Sequence, residues 1–204
     1  MKVVANAAAA LDRREARRQR LLEAALELFA ELGFHDTSVD EVVAQARTSK
    51  SAFYEHFESK EDCFRMLLEQ EGGALVAAVH SAARGGKDHR ERTRLGIAAF
   101  VHTCASRSRV AKLLLVESVG LSPSIEAVRH RLHAEFASLT ESEVRYAQEQ
   151  GDGALAGIDP AVYGRAVVGA VNEATSWPSS SAAPSGSEPG SRPALASQTG
   201  VRYT

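Results

Sequence analysis

The sequence predicts an all-α protein: a three-helix N-terminal domain, a helical bundle after it and a disordered C-terminal tail. Three observations carry this reading. Apolar residues recur every three or four positions along most of the chain between Leu11 and Thr175, Ser-led capping signatures open successive segments, and no stretch alternates with the period of two that a strand requires.

The first helix is expected from Leu11 to Leu32, where Leu22, Ala25, Leu26, Phe29 and Leu32 form one apolar stripe that Gly33 terminates. Ser38 followed three residues later by Glu41 marks a capping box, so a short second helix follows with Val39, Val42, Val43 and Ala46 inward. Ser49 caps a third, in which Phe53 and Phe57, four residues apart, share the buried face. Ser51, Tyr54 and Glu55 then point outward, with Lys50, Ala52 and His56 flanking the buried edge. Ser59 and Asp62 repeat the capping pattern and open a fourth helix through Phe64, Met66, Leu67 and Leu68.

A helix, a tight turn and a second short helix make a helix-turn-helix, whose second member is sized for a DNA major groove about 12 Å wide. Ser49, Lys50 and Ser51 stand at that helix's N-terminal end, where free N–H groups and small side chains favour a phosphate. Tyr54, His56 and Lys60 are donors spaced to reach the flanking backbone. Upstream, Arg13, Arg14, Arg17, Arg18 and Arg20 form a cationic strip opposed only by Asp12 and Glu15. Alone, such a strip reads as a solvated charged face. Beside a recognition helix it reads as an arm that neutralises phosphates or enters a minor groove, with Arg17 and Arg18 as candidate contacts.

The run LLEAALELFAELGFHDTSVDEVVAQARTSKSAFYEHFESKEDCF resembles the N-terminal domain of TetR-type transcriptional regulators, its three blocks standing in the family's order and spacing. The likeness extends from Arg14 to Gly73. It implies a DNA-binding domain over 14–74, with its motif at 38–57, after an N-terminal extension at 1–13. It also implies phosphate contacts at Ser38, Tyr54, His56 and Lys60, and base-facing positions at Lys50, Ser51, Ala52 and Glu55. Arg47 stands where the family's turn carries Gly, and a non-Gly residue held left-handed there costs on the order of 1 kcal/mol. Thr48 replaces a small aliphatic residue of the family.

The composition fits this. An apolar share of 44%, a charged share of 25% and a net charge of −2 describe a globular protein that meets an anionic partner through a local patch, without a uniformly basic coat. Two cysteines, Cys63 and Cys104, lack CxxC spacing, so a reducing compartment, the cytoplasm, is expected, with no disulfide framework and no thiolate metal site. No signal peptide or membrane span is read.

From 75 to 176 the segments Leu75–Ser81, Arg92–Ala105, Val110–Val119, Ile125–Gln150 and Pro160–Thr175 read as helices of a bundle able to enclose a cavity. In the resembling family this domain binds a small effector and forms the dimer. Phe100, His102, Phe136 and Tyr146 are candidate pocket residues, although aromatics at helical spacing also read as plain core. His130 and His133 with Glu126 have metal-ligand spacing but lack a further ligand, so no metal is assigned. Both thiols read as buried and inert.

Residues 177–204, rich in Pro, Ser and Gly, read as a low-complexity tail. Family members continue here into a final dimerisation helix, so a truncated or frame-altered C-terminus with weakened dimerisation is an expectation. The sequence thus points to a regulator, most simply a ligand-responsive repressor that binds a pseudo-palindromic double-stranded DNA operator as a homodimer. Two alternatives stand beside it: a helical interaction protein or non-functional regulator lacking the last helix, and an all-α enzyme. For the enzyme the chain shows no nucleophile-base spacing, no Gly-rich phosphate loop and no HExxH. No cofactor is implied.

Overall fold

The structure, a computed structural model, describes residues 2–176, and the expected tail at 177–204 lies outside them. Among the described residues eight α-helices run in order: α1 (Lys2–Leu32), α2 (Val39–Gln45), α3 (Lys50–Tyr54), α4 (Lys60–Ala83), α5 (His89–Ser106), α6 (Ser108–Lys112), α7 (Pro123–Glu149) and α8 (Pro160–Ser176). A π-helical turn, Leu113–Glu117, continues α6, and no strand occurs among the described residues.

Capping chemistry sets the short helices. Ser38 accepts from the Glu41 N–H at 3.2 Å while Glu41 takes the Ser38 N–H at 2.7 Å, closing the expected box at the start of α2. The end of α2 is a Schellman motif. Thr48 donates its N–H to the Val43 carbonyl at 2.9 Å and Arg47 to Ala44 at 3.1 Å, with Arg47 itself at φ +51. The strain expected of Arg47 in the turn is therefore present. Ser49 accepts from Ala52 N–H at 3.1 Å, and Ser59 from Asp62 N–H at 3.0 Å, so α3 and α4 begin where the serines stand.

Two boundaries differ from the sequence reading. The first helix begins at Lys2 and not Leu11, because the segment ahead of Leu11 is rich in Ala, the residue of highest intrinsic helix propensity, and continues α1. The fourth helix does not break near Gly72 and Gly73. It runs on to Ala83, so the boundary expected at 74 falls inside α4, which serves both the N-terminal domain and the bundle. At Gly72 an added Cβ would collide with the Leu132 side chain, and the missing side chain lets α7 approach α4.

One core joins the two halves. Leu22, Phe29, Val42, Phe53, Phe57 and Phe64 fill the N-terminal part and are continuous with Leu67, Leu113, Ile125 and Leu132 in the bundle. Phe34 packs between Phe29 and Phe64, with centroid separations of 5.7 and 5.3 Å. Around that core α7 packs most extensively on α8 and α4 on α5.

Candidate nucleic-acid interface and effector cavity

Phe53 and Phe57 are each 1% exposed, and this fixes the roll of α3. Tyr54, 56% exposed, and Ser51, Lys50 and Glu55 consequently face outward, as the four-residue spacing of the two Phe requires. The helix proper covers Lys50–Tyr54, and Phe57 lies just beyond it, its N–H still bonded to the Phe53 carbonyl at 3.0 Å. The outward face carries two ion pairs. Lys50 Nζ lies 2.8 Å from Asp40, which raises the lysine's pKa through that hydrogen bond first, and Arg17 Nη1 lies 3.2 Å from Glu55 Oε2. Arg14 donates to the Glu55 carbonyl at 3.2 Å, and Arg18 pairs with Glu15 at 3.2 Å. The basic strip of α1 and the outer end of α3 thus form one surface.

Several expected contacts are placed otherwise. Lys60 does not project as a phosphate donor. Its ammonium donates to the carbonyls of Phe34 at 2.6 Å, Thr37 at 2.7 Å and His35 at 3.3 Å, and sits 4.3 Å from the Phe34 ring centroid. Three protons meet three carbonyls, so this lysine closes the α1–α2 connection from within. Ala52 is 5% exposed and belongs to the core side of α3, not to a base-facing position. The Ser38 hydroxyl is committed to both ends of its capping box, while Ser49 accepts from its cap and keeps a hydroxyl proton to donate. His56 is half-buried with Nε2 unpartnered among the described residues; burial first, then the charge of Arg14, lowers its pKa.

In the bundle a cavity of about 340 Å³ lies between α4, α5, the π-helical turn, α7 and α8. Phe100 and Phe136 line it as an edge-on pair at 6.0 Å, as expected, and Leu132, Leu139 and Val167 extend the apolar wall. His102 and Tyr146 do not line it. His102 points outward from α5, and Tyr146, 39% exposed, stacks outside against Arg92 at 5.5 Å. Sequence reasoning missed the polar lining, Arg92, Arg129, His133 and Glu143, although 129, 133, 136, 140 and 143 share one face of α7 by their spacing alone. Arg92 pairs with Glu143 at 3.1 Å and Arg129 with Glu126 at 3.3 Å, yet Arg92 Nε, Arg129 Nε and Glu143 Oε2 are buried without a hydrogen-bond partner among the described residues, while burial, then Arg129, pushes His133 toward its neutral form. Among the described residues no group of His, Cys, Asp and Glu has the arrangement to hold a metal. Cys63 is buried, its thiol pushed up to about 12 by burial; Cys104 is only half-buried and also raised by burial. No helix among the described residues is long and apolar enough to cross a membrane.

The segment from α6 through the π-helical turn links the cavity to the C-terminal end of α1. Leu114 and Leu115 line the cavity, Lys112 donates to the Ala30 carbonyl of α1 at 2.6 Å, and Arg109 reaches Glu31 at 3.1 Å and Glu27 at 3.4 Å.

Residues 21–67, covering α2, α3 and the core-forming part of α1, match the family profile of bacterial regulatory proteins, tetR family. Over these residues the chain carries a TetR-family N-terminal domain. The HTH-type transcriptional activator FasR of Mycolicibacterium smegmatis is 32% identical over 114 residues, 56% of this chain and 52% of FasR, so the match spans about half of that relative. Among solved TetR-family structures, PfmR of Thermus thermophilus is 29% identical with a TM-score of 0.65, covering 78% of this chain and 85% of PfmR. FadR of Bacillus subtilis, solved in complex with stearoyl-CoA, shares the fold at 18% identity and a TM-score of 0.71, covering 77% of this chain and 84% of FadR. The match includes Lys50, Ser51, Tyr54 and Glu55, which build the outward face of α3.

Proposed function

We propose that the chain is a ligand-responsive, DNA-binding transcriptional regulator, not an enzyme. The observation that carries it is the roll of α3: two buried Phe on one side, and Ser51 and Tyr54 presented on the other beside the Arg strip of α1. In this reading Ser51, Tyr54 and Lys50 meet base edges or the adjacent backbone, while Arg14, Arg17 and Arg18 neutralise phosphates. As a homodimer the chain would place two such helices on half-sites roughly 34 to 36 Å apart, or a multiple, along a pseudo-palindromic operator.

The effector is read as a molecule with an apolar body. The cavity walls are mainly aliphatic and aromatic, which suits an apolar body, while the unpartnered Arg92 Nε, Arg129 Nε and Glu143 Oε2 leave hydrogen-bonding capacity for a small polar group on it. The fold shared with FadR, solved with stearoyl-CoA, agrees with an apolar chain as the enclosed part. An occupant that displaces Leu114 and Leu115 would move the turn that Lys112 and Arg109 tie to α1, and so reorient the reading head. Repression by operator occupancy is the simplest sign of regulation; FasR bears the name of an activator, so the sign is read with a promoter reporter.

The test is binding to duplexes flanking the coding region across a salt series, with and without long-chain acyl compounds. Sequence-selective binding that weakens steeply with salt, and that an acyl compound modulates, is the expected result. Equal, weak binding to every duplex would overturn the reading.

A further inference from the structure

Glu55 lies on the face of α3 that the DNA reading turns toward bases, yet it is already engaged. Arg17 Nη1 stands 3.2 Å from its Oε2, and Arg14 Nη2 donates to its main-chain oxygen at 3.2 Å. A carboxylate beside a polyphosphate is electrostatically unfavourable unless it accepts from a cytosine amine or is held by a cation. Here two cations from another helix converge on the residue that closes α3.

Lys50 behaves differently. Its partner Asp40 belongs to α2 of the same motif, and the two side chains are 55% and 69% exposed, so a phosphate or a guanine can replace the carboxylate at little cost. No such exchange is open to Glu55, since nucleic acid offers it few donors. Arg17, by contrast, engages Glu55 through Nη1 and keeps further guanidinium N–H groups to donate to a phosphate oxygen.

We propose that Glu55 is a positioning residue of the nucleic-acid interface and reads no base: its carboxylate fastens Arg17 to the end of the recognition helix, beside the Arg14 held by the main-chain oxygen. The phosphate contacts of α1 and the base contacts of Ser51 and Tyr54 are thereby made in one register. This rests on the DNA-binding reading above. Its consequence is counterintuitive, because removing a negative charge from a DNA-facing surface ordinarily tightens binding to any duplex.

The test uses the full chain. Duplexes are selected from a randomised pool by the unmodified protein, and affinities for the selected duplex and a scrambled one are measured over a salt series for Glu55→Gln, Arg17→Gln and the double variant. Because the Arg17 and Glu55 side chains are 38% and 56% exposed, Glu55→Gln is expected to weaken the selected duplex roughly two- to five-fold. It leaves the scrambled duplex unchanged or bound more tightly, and the double variant is no weaker than Arg17→Gln alone. Re-selection with Glu55→Gln returns the same sequence. A base changed at one position on re-selection would make Glu55 a reader, and equal tightening of both duplexes would make it a bystander; either overturns the proposal. An unmodified protein that enriches no sequence overturns the DNA-binding reading itself.

Discussion

Lys60 Nζ donates to the Phe34 carbonyl at 2.6 Å and stands 4.3 Å from the centroid of the same residue's ring. One ammonium thus holds both the backbone and the side chain of the residue that leads from α1 to α2, and its other protons hold His35 and Thr37.

Lys60→Met therefore acts on folding before it acts on DNA. Loss of a charge-assisted hydrogen-bond cluster leaves carbonyls unpaired and is expected to cost about 2 kcal/mol. Thermal unfolding should show a lowered midpoint, while the sequence selected from a randomised duplex pool stays the same.

Arg47→Gly should stabilise the chain. The residue sits at φ +51 in the C′ position of a Schellman turn, where glycine carries no Cβ penalty. The relief, about 1 kcal/mol, is partly offset by the greater freedom of glycine in the unfolded chain. A midpoint raised by a few degrees in calorimetry supports the account; a fall would show that the Arg47 side chain stabilises the turn by more than its backbone strain costs.

Much of this is legible in the sequence, and the exceptions have physical reasons. The Ser38–Glu41 and Ser49 caps, and the i, i+4 pair Phe53 and Phe57, specify α2 and α3 locally, so their positions and the outward turn of Tyr54 follow from spacing. The role of Lys60 escapes sequence reading because its partners are main-chain carbonyls more than twenty residues away, and carbonyls carry no sequence signal. The placement of Tyr146 and His102 escapes it because periodicity gives a residue's face on its own helix, not which neighbour that face meets. The continuity of α4 through Gly72 and Gly73 is set by packing against α7, which overrides the low propensity of glycine.

Acid should weaken the N-terminal domain through His56. Its folded pKa lies below the ordinary value of 6.5, chiefly through burial and then through Arg14, with Arg17 and Arg18 in the same direction and Glu55 opposing. The fold therefore favours the neutral ring. Stability from this group is present above the unfolded value and is lost as pH falls through the folded one. His133 shifts the same way, so His56→Gln removes only part of the acid dependence. Denaturant midpoints for the two proteins should converge as pH falls, and Arg14→Gln should raise the His56 titration midpoint in an NMR titration.

Gly164→Ala should loosen the bundle. A Cβ there would lie 2.5 Å from the Ala137 carbonyl oxygen, a backbone atom that cannot rotate away. Separation of α7 and α8 is expected to cost roughly 1 to 3 kcal/mol, as overpacking does elsewhere. Circular dichroism on heating checks it: a lowered midpoint is expected, and an unchanged one would show that α8 shifts freely along α7.

The account stands most directly on what Ser51 and Tyr54 do. Their measurement is selection from a randomised duplex pool at fixed salt by the unmodified chain, by Ser51→Ala and by Tyr54→Ala, with helical content and melting checked in parallel. The account predicts that the unmodified chain enriches a pseudo-palindromic sequence and that each substitution alters or relaxes it without unfolding the protein. Identical enriched sequences from all three proteins, or no enrichment by the first, would contradict it.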